Sequence, residues 1–279
     1  MRIVSYKKLR LTERLLDASN LQIILFFIFY TFLISFSSFG KGFDFTDMTL
    51  TYHFSLRILN GDIPFKDFHT TIMPLSYYLE AVFHYFFGQS YRVNLVMGLC
   101  LKFFNILFIY LTLNLFYKNK ITSLLFTLFI TSIFIGNSQT YFSFSNFALT
   151  LSMITSYFAI KSVTLKSKYY TVAIGTLTAL TFLTKQNFGV VLLLAYSLYL
   201  VVLFFKTPVT FKEILHDLFY FISGMTAILL PFFLYFNSLN VITEIFYILM
   251  TGSDRKGLSE LSTLGFIDTL LPILSLKIF

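Results

Sequence analysis

Five acids and three histidines crowd one short stretch of the chain: Asp44, Asp47, Asp62, Asp67 and Glu80, with His53, His69 and His84. Carboxylates at that density can take a proton from an attacking hydroxyl, orient it, or hold a cation. His53, His69 and Asp67 could form a three-ligand metal set. No histidine pair at helical spacing and no cysteine ligand supports them, so a divalent metal is possible but weakly supported. Asp62 and Glu80 read as solvated loop polars. Cations that could meet an anionic group stand elsewhere: Lys185 in Thr184-Lys-Gln-Asn187, and the pair Arg255-Lys256. Lys102 is stranger, because it lies roughly 13 Å inside an apolar run. An ionisable residue at that depth is a functional hypothesis by default; it lines a cavity or pairs with an acid on another helix. Gly-rich phosphate loops and hydrolase elbows are missing from the sequence.

The elements that must position these residues are membrane helices. Of the 279 residues 57% are hydrophobic and only 12% charged, and the mean hydropathy is +0.77. A soluble domain carries about 25% charged residues, so this chain cannot coat a globule with a solvated surface. The net charge of +8 does not signal nucleic acid, since the basic residues sit in short loops between apolar spans. The single Cys100 lies inside an apolar run and excludes an intramolecular disulfide. Backbone groups in hydrocarbon need internal partners, and no alternating barrel pattern appears. The expected fold class is therefore all-α, a polytopic transmembrane protein of about eight spans forming one module over residues 1–279. The expected spans are 21–39, 93–116, 121–136, 141–160, 169–184, 188–205, 218–236 and 261–277. The first is too long for a cleavable signal and lacks a small-residue cleavage site.

Placing the N-terminus in the cytoplasm puts twelve Lys and Arg on that side and seven on the other. The positive-inside rule therefore predicts that orientation. It creates a long outer first loop, Gly40 to Arg92, and a second from Asn237 to Glu260. The long loop holds Thr49–Leu59, the turn Asn60-Gly-Asp-Ile-Pro64, and the aromatic run Pro74–Phe87. Pro74 suits a helix's first turn, and the run suits a helix lying in the membrane interface.

In order, the loop presents Asp47, Ile58-Leu59, Gly61, Pro64-Phe65, Asp67, Pro74 and Phe87-Gly88. This frame resembles the first outer loop of membrane glycosyltransferases of the C-type fold that use polyprenyl-phosphate sugars. Bacterial relatives of the protein O-mannosyltransferases and the aminoarabinose transferases belong to that group. Two positions depart from the pattern. Met48 stands where an acid often follows the first Asp, and Met73 replaces the first proline of a pair. Thr184-Lys-Gln-Asn187 resembles a further Lys-Gln element of the group. The resemblance implies transfer of a sugar from a lipid phosphate to an acceptor hydroxyl, with Asp47 as base and Asp67 aiding acceptor orientation or a metal. A turn cap is the alternative role for Asp67. The candidate substrate contacts are Lys185, Gln186, Arg255, Lys256, Lys102, His69 and Tyr52. For Lys185 the alternative is an interfacial lysine snorkelling to headgroups.

The implied partners are a polyprenyl-phosphate sugar donor, membrane lipids and a glycan, lipid or protein acceptor. The implied location is a bacterial plasma membrane, with the site on its outer side. Two other classes stay open. One is a transporter or flippase of a lipid-linked glycan. The other is a non-catalytic subunit or truncated remnant, suggested by a chain that ends within an apolar segment and is shorter than the group's usual length.

Overall fold

The computed structural model describes residues 18–36, 47–117, 119–134, 140–165, 167–206 and 210–251. The expected span 261–277, together with Asp44, Arg255 and Lys256, lies outside them. Ten helices form among the described residues: α1 (Ala18–Ser35), α2 (Asp47–Leu59), α3 (Leu75–Phe87), α4 (Tyr91–Phe116), α5 (Lys120–Phe134), α6 (Phe144–Leu165), α7 (Lys168–Thr184), α8 (Gln186–Lys206), α9 (Phe211–Ser238) and α10 (Ile242–Thr251). No strand occurs among the described residues.

The bundle is inverted relative to a soluble protein. Leu25, Phe29 and Leu33 of α1 and Val191, Leu194 and Leu198 of α8 are exposed. Thr127, Thr131, Thr155, Thr178, Thr181 and Thr184 are buried. Most of these buried hydroxyls donate to the carbonyl one turn back, as in Thr127 to Ser123 and Thr181 to Leu177, and so need no water. An apolar coat over a hydroxyl-rich interior is the arrangement a bilayer demands. The helices Tyr91–Phe116, Phe144–Leu165, Gln186–Phe205 and Phe211–Ser238 are long and apolar enough to cross a membrane. Asn20–Ser35 and Lys120–Phe134 are apolar but shorter, and α7 has 17 residues. A full crossing takes about 20 residues, so among the described residues four of the expected spans meet that length.

Two spans have boundaries that differ from expectation for local reasons. Helix α9 starts at Phe211 rather than 218 because Thr210 and Glu213 form a capping box, each satisfying the other's backbone N–H. Helix α6 starts at Phe144 rather than 141 because residues 140–143 are tied to α4, as described below. Contacts fix the helix directions. Lys120 of α5 reaches Asn20 of α1, and Tyr30 of α1 bonds Ser132 of α5, so α1 and α5 run parallel. The N-termini of α4, α6 and α8 and the C-termini of α7 and α9 then meet at one end of the bundle, where α2 and α3 cap them. Helix α7 lies at the centre, packed on α6, α8 and α9.

Candidate functional site

Helix α2 begins at Asp47 and closes in a Schellman turn. The Asp62 N–H reaches the Arg57 carbonyl and the Gly61 N–H that of Ile58, with Gly61 at φ 97°. Arg57 then staples two turns together. Its Nε donates to Asp62 Oδ2 at 2.6 Å, its Nη2 donates to the Asp67 carbonyl, and its guanidinium sits 4.8 Å above the Phe68 ring.

Asp67 closes the second turn. The Ile63 N–H donates to its Oδ2 at 2.8 Å, and its own N–H returns to the Ile63 carbonyl. Of the two roles open to Asp67, this geometry provides the turn cap. Asp67→Asn keeps an acceptor for Ile63 and is expected to leave thermal unfolding within about 0.5 kcal/mol of native. Asp67→Ala should cost about 1 kcal/mol in thermal unfolding. An Asp67→Asn chain as destabilised as Asp67→Ala would overturn the cap.

Asp47 has different company. Ser145 Oγ, at the start of α6, donates to Asp47 Oδ2. Lys185 Nζ, between α7 and α8, donates to the same Ser145 oxygen at 2.8 Å. Residues 98 and 40 positions apart thus form one carboxylate–hydroxyl–ammonium row. The Lys185 ammonium also lies 5.1 Å from the Phe144 ring and 5.5 Å from Phe188, which help hold its position. Next to it, Gln186 Nε2 donates to the Thr71 carbonyl at 2.7 Å, fixing the loop before α3 to α8. Gln186 Oε1 and His69 Nδ1 are buried and have no hydrogen-bond partner among the described residues. Among the candidates, then, Asp47, Lys185 and Gln186 gather at this end of the bundle. Ser145 is the residue that sequence reasoning misses.

Lys102 is buried in α4 and donates to Thr140 Oγ1 at 2.8 Å. Tyr52 sits edge-on to the His84 ring, 5.0 Å away, and burial raises its pKa. Among the described residues no three His, Cys, Asp or Glu side chains converge, so His53, His69 and Asp67 do not assemble a metal set. The Asp67 oxygen is instead spent on its own turn.

Glu80 corrects an expectation outright. It is fully buried rather than solvated, as is His84 one turn later. Asn94 Nδ2 donates to Glu80 Oε1 at 2.6 Å, and His84 Nε2 lies 3.4 Å from the same oxygen. His84 Nδ1 faces the Gly88 carbonyl, an acceptor only, so Nδ1 carries the proton. Burial pushes the Glu80 carboxyl up, against the opposing bonds from His84 and Asn94. Burial alone would lower His84, but its bonds to Glu80 and Gly88 win and raise it.

Comparison with known protein families, curated proteins and solved structures finds no match for the chain.

Proposed function

We propose that the protein is a membrane glycosyltransferase moving a sugar from a polyprenyl-phosphate donor to a cell-envelope acceptor on the extracytoplasmic face. The observation that carries this reading is the Asp47–Ser145–Lys185 row, which joins a proton acceptor to a cation at one end of an apolar helical bundle. The motif frame around Asp47 supports it from the sequence. In this reading the acceptor hydroxyl displaces Ser145 from the Asp47 carboxylate and gives up its proton there. Its oxygen bonds to the anomeric carbon while the bond from that carbon to the phosphate oxygen breaks. The phosphate leaves with the electron pair, and Lys185 offsets its charge.

The proposed topology has about eight spans with a cytoplasmic N-terminus, for which the distribution of Lys and Arg argues. Helix α3 then lies in the outer interface. Its exposed face is Val82, Phe83, Tyr85, Phe86 and Phe87, and its buried face carries Ser76, Glu80 and His84. Helices α2 and α3 form the substrate-facing part of a long first outer loop.

The test is genetic and chemical. The gene is deleted, cell-surface glycans are profiled by mass spectrometry, and the native chain is restored. Return of a missing sugar identifies a transferase, and the mass difference names the sugar class. An unchanged glycan profile with accumulated lipid-linked glycan would favour transport instead. In membranes from the rescued strain, Lys185→Ala should raise the KM for the lipid donor roughly tenfold and leave that for the acceptor near native, since a charge-assisted contact is lost. Equal loss for both substrates would make Lys185 structural.

A further inference from the structure

One face of α4 holds the segment that delivers Ser145. Asn94, Gly98 and Lys102 follow one another at intervals of four residues and so lie on a single stripe. Lys102 bonds Thr140. A Cβ at Gly98 would stand 2.5 Å from the backbone of Tyr141, so only glycine lets that strand of chain lie flat on the helix. Asn94 grips Phe142 from both sides. Its Nδ2 donates to the Phe142 carbonyl and its Oδ1 accepts the Phe142 N–H, each at 3.1 Å. Ser143 then accepts from the Asn146 N–H, as an N-cap does, and the Asn146 amide bonds the Tyr141 carbonyl. Ser145 lies two residues after Ser143, in the first turn of α6.

The orientation of the Asn94 amide decides whether this grip works, because a flipped amide would set its oxygen against the Phe142 carbonyl. What fixes that orientation is Glu80, an acceptor placed 2.6 Å from Nδ2. Glu80 is in turn held between Asn94 and His84, and His84 is anchored on the Gly88 carbonyl. Both side chains are fully buried and take no part in the chemistry proposed above.

We infer that Glu80 is a positioning residue: with His84 it sets the Asn94 amide, which clamps Phe142 and so places Ser145 between Asp47 and Lys185. The effect on transfer rests on the function proposed above; the clamp itself does not. It links α3 to the entry of α6 through α4, so the caps and the bundle act as one frame. The chemistry demands an acceptor at position 80, not a charge. A glutamine there keeps Oε1 as the acceptor for Asn94.

The experiment measures amide hydrogen exchange by mass spectrometry on the full chain in nanodiscs, beside transfer activity. Glu80→Ala should speed exchange about tenfold in peptides covering 140–147, as expected for loss of one buried hydrogen bond. Peptides from α8 should stay unchanged. Glu80→Gln should exchange within about twofold of native. Should Glu80→Ala fail to fold, Asn94→Asp gives the same reading without opening a cavity. It sets a carboxylate oxygen against both Glu80 and the Phe142 carbonyl, and one proton can relieve only one of those contacts. In transfer, Glu80→Ala should lower kcat with little change in donor KM, and Glu80→Gln should restore it. Native-like exchange over 140–147 in both Glu80→Ala and Asn94→Asp would overturn the inference. So would a Glu80→Gln chain as impaired as Glu80→Ala. If the native chain transfers no sugar, the function falls, and the exchange data still decide the clamp.

Discussion

Asp47→Asn is expected to lower sugar transfer by roughly two to four orders of magnitude, the usual contribution of a positioned general base. The substitution is almost isosteric. Its Oδ1 still accepts the hydroxyl proton of Ser145, so the row from α2 to α6 to Lys185 stays joined. What disappears is the ability to take a proton from the attacking hydroxyl. The negative charge at the first residue of α2 also goes, at a cost of about 0.3–1 kcal/mol to that helix. Transfer and stability should therefore separate. In membranes from the deletion strain, sugar incorporation should fall to the background while the melting temperature in detergent shifts little. Ser145→Ala is the useful comparison, because it leaves the carboxylate and removes its link to Lys185. A smaller loss, in kcat more than in KM, is expected there. Transfer by Asp47→Asn within threefold of native would show that Asp47 is not the base.

The reach of the sequence can be judged from these same residues. Asp47 is legible because an acid before Ile-Leu-x-Gly and Pro-Phe-Lys-Asp falls in a recognisable frame, and Lys185 because a cation between two apolar runs stands out. Ser145 carries no such signal. It is one serine among many beside a phenylalanine, and only the third dimension brings it within reach of both. Glu80 illustrates a different failure. Charge density in a loop suggests solvation, but helix periodicity places Glu80 on one stripe with Tyr77, Ala81 and His84. The opposite stripe holds Phe83, Phe86 and Phe87, so the polar stripe faces inward and the aromatic one outward. In a membrane protein that inversion is the expected arrangement, and the i, i+4 pair of Glu and His is its readable mark. Asp67 marks the limit from the other side. The frame makes it a second acid that aids acceptor orientation or a metal, with a turn cap as the alternative, and the Ile63 N–H claims its carboxylate.

The second large effect concerns the crossing of α7 and α9, where Gly175→Leu and Gly224→Leu are each expected to destabilise the bundle by at least about 3 kcal/mol, at or beyond the usual overpacking range. A Cβ built on Gly175 collides with the Phe221 carbonyl oxygen, and one built on Gly224 collides with that of Val172. The obstacles are backbone atoms in helices, which cannot rotate aside as a side chain can. Thr176 Oγ1 bonds the Gly224 carbonyl at 3.3 Å across the same contact, so separating the helices also opens that bond. Without a hydrophobic drive between helices in lipid, such close approach is the main source of their association. The consequence reaches the site. Helix α7 ends at Thr184, the residue before Lys185, while Phe236 near the end of α9 packs edge-on against Phe65 in the turn that Asp67 closes. Forcing the two helices apart therefore moves Lys185 relative to Asp47. Folded yield and thermal unfolding in detergent provide the measurement, with Leu194→Ala on the exposed face of α8 as the control expected to stay within about 0.5 kcal/mol. Native stability in both glycine variants would mean that the two helices do not meet at this point. The placement of Lys185 would then need another origin.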